Sequence, residues 1–493
     1  MEILDLSHNA LGNGSIVEPL KECGNLRFLS LAGNYFKEAP NLEGLPLERL
    51  ELQQNGLRNV SGLEGAEIQE LLLQDNQLTG DVEKLIFGSF LRAVNLARNR
   101  LQSLSRSSAA SESNLEVLDL SENDLVELED AFFSSFGHLK VLNLSQNKLQ
   151  RLSFPPGSLP ELQILEVVGN RLERLPCGAG SPQVLDAKWN RLKDVSEALP
   201  CLSKTRKLDL SYNQLSSVSL APLSRLLALH LAMNQLPWLP QKLPSSLQLL
   251  DLSDNPLRRP SRDHPHHLPP LPSLLNLRLR NVSLSALTAW TFQRMPRLRA
   301  LDVSQNRLLY LPQGIFQGIS HLRSVRLANC SLQLINAKTL TLPRLEELDL
   351  TGNQLKAIAP SCLAQLPSLR SLQLADNRLE VLQSYALPSL RLLSAPRNRL
   401  RVLKANSFIH MQTLQVLNLA ENYLKELPAD VFLPLVQLEV LNLLLNPLMP
   451  SLIRASLPTG RTALKCSCAP GLSEGCWCAR EAFYHETRVP IWI

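Results

Sequence analysis

One short arrangement of apolar and polar positions recurs along the whole chain. Two apolar residues stand two apart, an asparagine follows three later, and a further leucine lies two beyond it. The chain opens on it as MEILDLSHNAL, with Leu4, Leu6, Asn9 and Leu11. It returns as LEVLDLSENDL at 115–125, LKVLNLSQNKL at 139–149, LEELDLTGNQL at 345–355 and LEVLNLLLNPL at 438–448. Twenty copies run from Asn9 to Asn446 at a mean spacing of 23 residues, individual spacings lying between 20 and 27. Apolar residues two apart on a strand point to the same side. Each copy therefore predicts a short strand whose leucines turn inward and whose intervening residue faces out. A repeat this short cannot bury its own apolar side and must stack on its neighbours, which makes a solenoid of parallel strands. The asparagine falls where the chain leaves the strand. Its amide is expected to satisfy buried backbone groups of its own coil and of the next one.

The residues after the asparagine narrow the type. Two copies continue as ELPADVFLPL (426–435) and YLPQGIFQGI (310–319), and Phe133, Phe292, Phe316, Phe408 and Phe432 each lie ten positions after their ladder residue. A ring at one fixed offset predicts one fixed packing slot on the side away from the strands. With the twenty leucine motifs, this pattern resembles the roughly 24-residue leucine-rich repeats of extracellular proteins. Toll-like receptor ectodomains, latent-growth-factor-binding repeat receptors and matrix proteoglycans share it. The segment LPQKLPSSLQLLDLSDNPL (239–257) is similar to the shorter proteoglycan repeats, and no run of the plant-receptor motif LxGxIP occurs. The resemblance implies an α/β solenoid, a curved horseshoe with a parallel concave β-sheet of about 20 strands and a mostly irregular or short-helical convex side. Residues 1–448 form the repeats, with an irregular insertion near 258–272, and 449–493 form a cysteine-containing C-terminal cap. The function implied is non-enzymatic recognition of a protein ligand, outside the cell or at its surface. The alternative is an intracellular scaffold that docks a signalling protein.

Composition limits the other classes. The chain has 493 residues, 44% apolar, 19% charged and only 5% aromatic, with a formal net charge of +5. That charge is too small to suggest nucleic-acid binding. No apolar run reaches the roughly 18 residues of a membrane-spanning helix, and no basic-then-apolar leader follows Met1. Met1 falls inside the first repeat; because an uncapped coil exposes an apolar edge, the natural N-terminus is expected upstream. No GxSxG, HExxH, P-loop or GxGxxG stands in a suitable context. The aspartates Asp5, Asp119, Asp209, Asp251, Asp302 and Asp349 recur at one strand position and read as a repeat feature, not as an acid–base pair. No cofactor, metal or catalysis is expected.

Four of the nine cysteines cluster near the end as CSCAPGLSEGCWC: Cys466, Cys468, Cys476 and Cys478. Disulfides from one CxC to the other, a four-thiolate zinc site and free thiols are the alternatives, and four cysteines allow three connectivities. Family caps usually open with CxC soon after an Asn-Pro turn, whereas 18 residues separate Pro447 from Cys466. Cys23, Cys177, Cys201, Cys330 and Cys362 are dispersed and read as buried single thiols.

The least regular stretch lies between the twelfth and fifteenth copies. The longest spacing, 27, follows Asn255 and contains LRRPSRDHPHHLPPLP; Val282 and then Cys330 replace the ladder asparagine. Neither substitutes for an amide, so those turns must be satisfied otherwise or run irregularly. Nine arginines stand between 258 and 307 against Asp263 and Asp302. Arg278, Arg280, Arg299, Arg323 and Arg326 form a candidate basic patch for an acidic protein surface or a sulfated glycan. Glu116, Asp119 and Glu122, within a run of eight acids from Glu112 to Asp130, form a candidate acidic patch. Ordinary solvated faces are the alternative for both. His264, His266 and His267 read as a solvated loop, with a metal or pH-sensitive site as the alternative. Sequons occur at Asn13, Asn59, Asn143, Asn281 and Asn329, a number that chance also gives. A glycan at Asn143 would cover part of the strand face. A second copy of the chain is a further candidate partner.

Overall fold

The computed structural model describes residues 1–12, 20, 23–80, 82–88, 90–105, 112–258 and 268–448, and the backbone of 465–468 and 476–479. The chain divides into two compact units, Met1–Gln235 with Lys242–Pro244, and Leu236–Gln241 with Ser245–Ile493.

Each unit is a parallel solenoid built from three-residue strands. The first holds eleven, from Ile3–Asp5 to Ala228–His230; the second holds nine on the same plan, from Leu249–Asp251 to Val440–Asn442. The twenty strands expected from the repeats are all present. The register is uniform: the inward leucines stand opposite one another from coil to coil, as in Leu118↔Leu142 and Leu348↔Leu372. Leu118, Leu120, Leu348 and Leu350 are at most 1% exposed. Among the described residues helix is confined to one or two turns, as in Glu83–Ile86, Pro360–Leu363, Asp130–Ser135 and Ser196–Leu202. A repeat of about 23 residues leaves no length for more, and prolines interrupt the return segments. A small second sheet pairs Val381–Leu382 with Val402–Leu403.

The ladder asparagines do what the spacing implied, with one correction. Asn123 donates from Nδ2 to the carbonyls of Leu120 (3.1 Å) and Ser121 (3.1 Å) in its own turn, and of Leu96 (2.9 Å) in the coil before. Its Oδ1 accepts the Leu101 N–H at 3.0 Å. The second coil bridged is therefore the preceding one, not the next. The aspartates between the leucines also have a local reason. Asp119, Asp302 and Asp349 each accept the backbone N–H two residues on, at 2.9 Å. The carboxylate thus closes the strand with an Asx-type turn.

A second periodic feature carries no residue signature. The residue before every ladder position has a left-handed backbone, with φ between 51° and 69°. Only Gly33, Gly169 and Gly352 among the twenty are glycine; the rest accept a conformation that costs about 1 kcal/mol or more. The two substituted coils keep this turn and add another. Asn281 and Asn329 take the left-handed position, and Ser283 and Ser331 adopt it as well. Their turns are both irregular and satisfied otherwise. Asn306 Oδ1 accepts from Val282 and Leu284, and Asn353 Oδ1 from Cys330 and Leu332. The Cys330 thiol donates to the Val303 carbonyl at 3.2 Å.

The phenylalanine slot is real. Phe133, Phe292, Phe316, Phe408 and Phe432 are all buried. Phe133 meets Phe132 and Phe154 edge-on at 5.1 and 4.7 Å between ring centres, and Phe408 stacks with Phe432 at 5.9 Å. The reading of dispersed single cysteines is half corrected. Cys177 and Cys201 form a disulfide with Cα atoms 5.6 Å apart, whereas Cys330 and Cys362 are buried free thiols and Cys23 is half-buried. Beyond the last repeat, Lys465–Cys468 and Cys476–Ala479 pair antiparallel, and the latter pairs with Val440–Asn442. The backbone register sets Cys466 opposite Cys478 and Cys468 opposite Cys476. Their side chains lie outside the described residues, as do the sequon at Asn13 and most of the insertion, with His264, His266 and His267.

Candidate functional site

The open strand face of the second unit holds a hollow of about 820 Å³. Its walls are the outward strand positions and the left-handed turn positions of successive coils. The candidate basic patch lies at one end of it, and the register shows how its charges are arranged. Between the inward leucines the outward position reads Asp251, Arg278, Asp302, Arg326, Asp349, coil by coil. Guanidinium and carboxylate thus alternate at the strand spacing of about 4.8 Å. Arg278 pairs with Asp251 at 3.4 Å. Arg326 stands between Asp302 and Asp349 without reaching either at ion-pair distance.

Arg299 and Arg323 occupy the position before the strand and are direct neighbours, the Arg323 N–H donating to the Arg299 carbonyl at 2.8 Å. Arg323 pairs with Glu346 at 3.3 Å, and Arg370 reaches the same carboxylate at 3.4 Å. Arg280 and Arg326 line the hollow. Among the described residues, Arg280, Arg299 and Arg326 have no ion pair. The patch is therefore a mixed-charge wall with three available guanidinium groups, not a block of positive charge.

The rest of the hollow was not singled out from the sequence. Ser371, Gln373, Ser394 and Asn418 form its floor. Their short uncharged side chains follow the charged coils and leave the recess open. At its far end Arg397 closes a clamp, with Nε and Nη2 on the two oxygens of Asp376 at 2.5 and 2.8 Å and Nη1 on Glu421 at 3.4 Å. Arg98 makes the same clamp in the first unit, on Asp75 at 2.5 and 2.9 Å and on Glu122 at 3.3 Å. The guanidinium holds the Asp75 carboxyl below its ordinary range. Residues before the ladder asparagine thus touch from coil to coil.

The candidate acidic patch is largely engaged internally. Glu116 bonds Lys140 at 2.7 Å, which lowers its pKa; Glu122 belongs to the Arg98 clamp; one oxygen of Asp119 closes its own turn. Of the sequons, Asn281 and Asn329 are exposed and Asn329 lines the hollow. Asn281 donates to Asp254 at 2.8 Å. Asn59 and Asn143 are half-buried, and Asn143 Oδ1 accepts the Ser145 N–H at 3.0 Å. Among the described residues no helix is long and apolar enough to cross a membrane.

Comparison with known proteins agrees with this architecture. The family described as "Leucine rich repeat" matches residues 113–172, 272–332, 320–379 and 388–448. Podocan-like protein 1 of Mus musculus is 31% identical over 182 residues, 34% of this chain and 32% of that protein. Podocan of Mus musculus is 32% identical over 152 residues, 29% of this chain and 25% of that protein. The chain thus spans a third or less of the length of these relatives. Among solved structures, YopM from Yersinia enterocolitica superposes with a TM-score of 0.60 at 25% identity, over 87% of this chain and 88% of that one.

Proposed function

We propose that the chain is a non-enzymatic recognition module that grips a protein ligand in the hollow of its second unit, a reading supported by its similarity to leucine-rich-repeat proteins such as podocan. One observation carries this reading: a preformed recess of about 820 Å³ with an alternating Asp–Arg wall and a floor of short hydroxyl and amide side chains. A protein surface carries both signs of charge and many hydrogen-bonding groups, which is what such a wall complements. A stiff solenoid presents the surface already formed, so little ordering opposes binding. A sulfated glycan suits it less, because a carboxylate stands beside each outward arginine. The setting we propose is extracellular or cell-surface. The Cys177–Cys201 bridge supports it, since disulfides persist in oxidising compartments.

The test immobilises the whole chain against an arrayed set of secreted and cell-surface ectodomains. A Ser371→Arg/Ser394→Arg variant fills the floor without touching the inward leucines. Ligands held by the wild type and lost by the plugged variant are expected. Ligands retained equally by both would place recognition elsewhere. In parallel, Arg278, Arg299 and Arg326→Glu is passed over heparin. A large fall in eluting salt from a wild-type value above physiological strength would favour the polyanion instead.

A further inference from the structure

The first unit carries an exposed feature that the hollow does not use. In three successive coils the left-handed position before the ladder asparagine is Trp189, Tyr212 and Met233. Elsewhere this column is mostly polar, and its charges pair within it, as Arg98 and Arg397 do. Here it is large and apolar, and it is open to solvent: Trp189 is 54% exposed, Tyr212 37% and Met233 43%. The indole and phenol rings stack with centres 3.9 Å apart and planes 13° from parallel. Mutual stacking fixes both rings in place, so a partner would not have to order them.

The neighbouring column is of one sign. In the same coils and the one before, the outward strand residues are Glu166, Asp186 and Asp209, and His230 follows. Lys188 occupies Asp186 at 3.2 Å. Asp209 uses one oxygen for the Ser211 N–H at 2.9 Å. Among the described residues neither Glu166 nor Asp209 has a cationic partner. Lys207 stands on the far side of the carboxylates from the rings. A stacked aromatic anchor thus lies beside two carboxylates that, among the described residues, no cation reaches at ion-pair distance.

We propose that Trp189, Tyr212 and Met233 anchor a second recognition surface, whose ligand is an extended peptide segment alternating apolar side chains with Arg or Lys. The apolar side chains pack against the ring edges and Met233, and the cationic ones reach Glu166 and Asp209. Coils lie about 4.8 Å apart, and alternate residues of an extended peptide lie about 6.7 Å apart. A segment of five or six residues therefore spans the four coils from that of Glu166 to that of Met233. Trp and Tyr are the residues that most often dominate such contacts, and cationic side chains also favour aromatic neighbours.

The test selects a random 12-residue phage-displayed peptide library on the intact chain and measures the enriched peptides by fluorescence anisotropy. The expected peptides carry net positive charge with apolar residues interspersed, and bind more weakly as salt rises. Trp189→Ala is expected to weaken them at least tenfold, as does Glu166→Gln/Asp209→Asn, whereas Trp290→Ala, at another exposed tryptophan, leaves binding unchanged. Circular dichroism confirms that each variant is folded. The proposal is overturned if the selection yields only neutral or acidic peptides, or none. It is also overturned if Trp189→Ala binds as the wild type does. A maltoheptaose titration is run alongside. Quenching of Trp189 by the sugar in the absence of any peptide binding would make the platform a carbohydrate site and sink the peptide reading.

Discussion

At the scale of the residue, the ladder asparagine is a set of backbone connections more than a polar side chain. Asn353 is 5% exposed; it donates to Leu327 and Leu350 at 2.8 and 2.9 Å and accepts from Cys330 and Leu332 at 3.1 and 2.9 Å. Asn9 is exposed and, among the described residues, bonds only Leu6 and Ser7 of its own turn. Removing the first leaves buried N–H and C=O groups of two coils unpaired, each costing about 1–3 kcal/mol; removing the second leaves groups that water reaches. Asn353→Ala should therefore cost about 3 kcal/mol or more and Asn9→Ala less than about 1 kcal/mol, read from urea midpoints. Equal losses would contradict the ladder argument. The Arg98 clamp yields a second expectation. Asp75 is held below its ordinary pKa in the fold, so it contributes stability at neutral pH that disappears as pH falls through that lowered value. Asp75→Asn should melt below the wild type at pH 7, and the two curves should converge in strong acid. A gap that stays constant with pH would mean the carboxylate charge plays no part.

At the scale of the element, a coil is a strand, a left-handed turn and a return segment, and these differ in how far sequence discloses them. The strand is legible because its two inward positions must be apolar. The phenylalanine slot is legible because only a large ring fills it: Phe133 is fully buried between Phe132 and Phe154. Phe133→Ala should cost about 3–5 kcal/mol. Because each coil rests only on its neighbours, hydrogen exchange should speed first in the coils around residues 117–154 and hardly at all near 416–442. Uniform loss of protection would mean the solenoid melts as one body. Phe90→Ala, at a ring 48% exposed, serves as the control. The left-handed turn is not legible, since Gln, Asp, Arg, Trp, Tyr and Met all occupy it and nothing in their chemistry announces a positive φ. Trp189 and Tyr212 went unremarked for that reason. The arrangement of charge is hidden for another. A window along the sequence adds residues from different faces of a coil, whereas the register sorts them. Asp251, Arg278, Asp302, Arg326 and Asp349 occupy one repeat position, and their alternation was there to be read column by column.

At the scale of the whole molecule, the cysteines connect the fold to the compartment in which it works. Cys177 and Cys201 are 24 residues apart, one repeat period, so their distance along the chain was itself a sign that they meet on successive coils. The cap cysteines stand opposite one another by backbone register, which makes Cys466–Cys478 and Cys468–Cys476 the pairings to test. Cys330, at a ladder position, and Cys362, on the helical turn Pro360–Leu363, are buried and donate to carbonyls; burial pushes the Cys330 thiol up to about 11, so it stays protonated and unreactive at pH 8. These placements fix what an intact mass of the natively expressed chain should show. Each bridge adds about two daltons on reduction. The solenoid bridge alone gives about two, and the bridge with both cap pairings about six. Iodoacetamide on the native protein should modify neither Cys330 nor Cys362, and both should react once the chain is unfolded. A mass shift of this size, with glycan released from the exposed Asn281 or Asn329, would fit a molecule that meets its ligand outside the cell. A chain recovered unmodified from the cell's interior, with nine alkylatable thiols after unfolding, would instead carry Cys177 and Cys201 as reduced thiols on successive coils. The search for a partner in the hollow would then turn to cytosolic proteins.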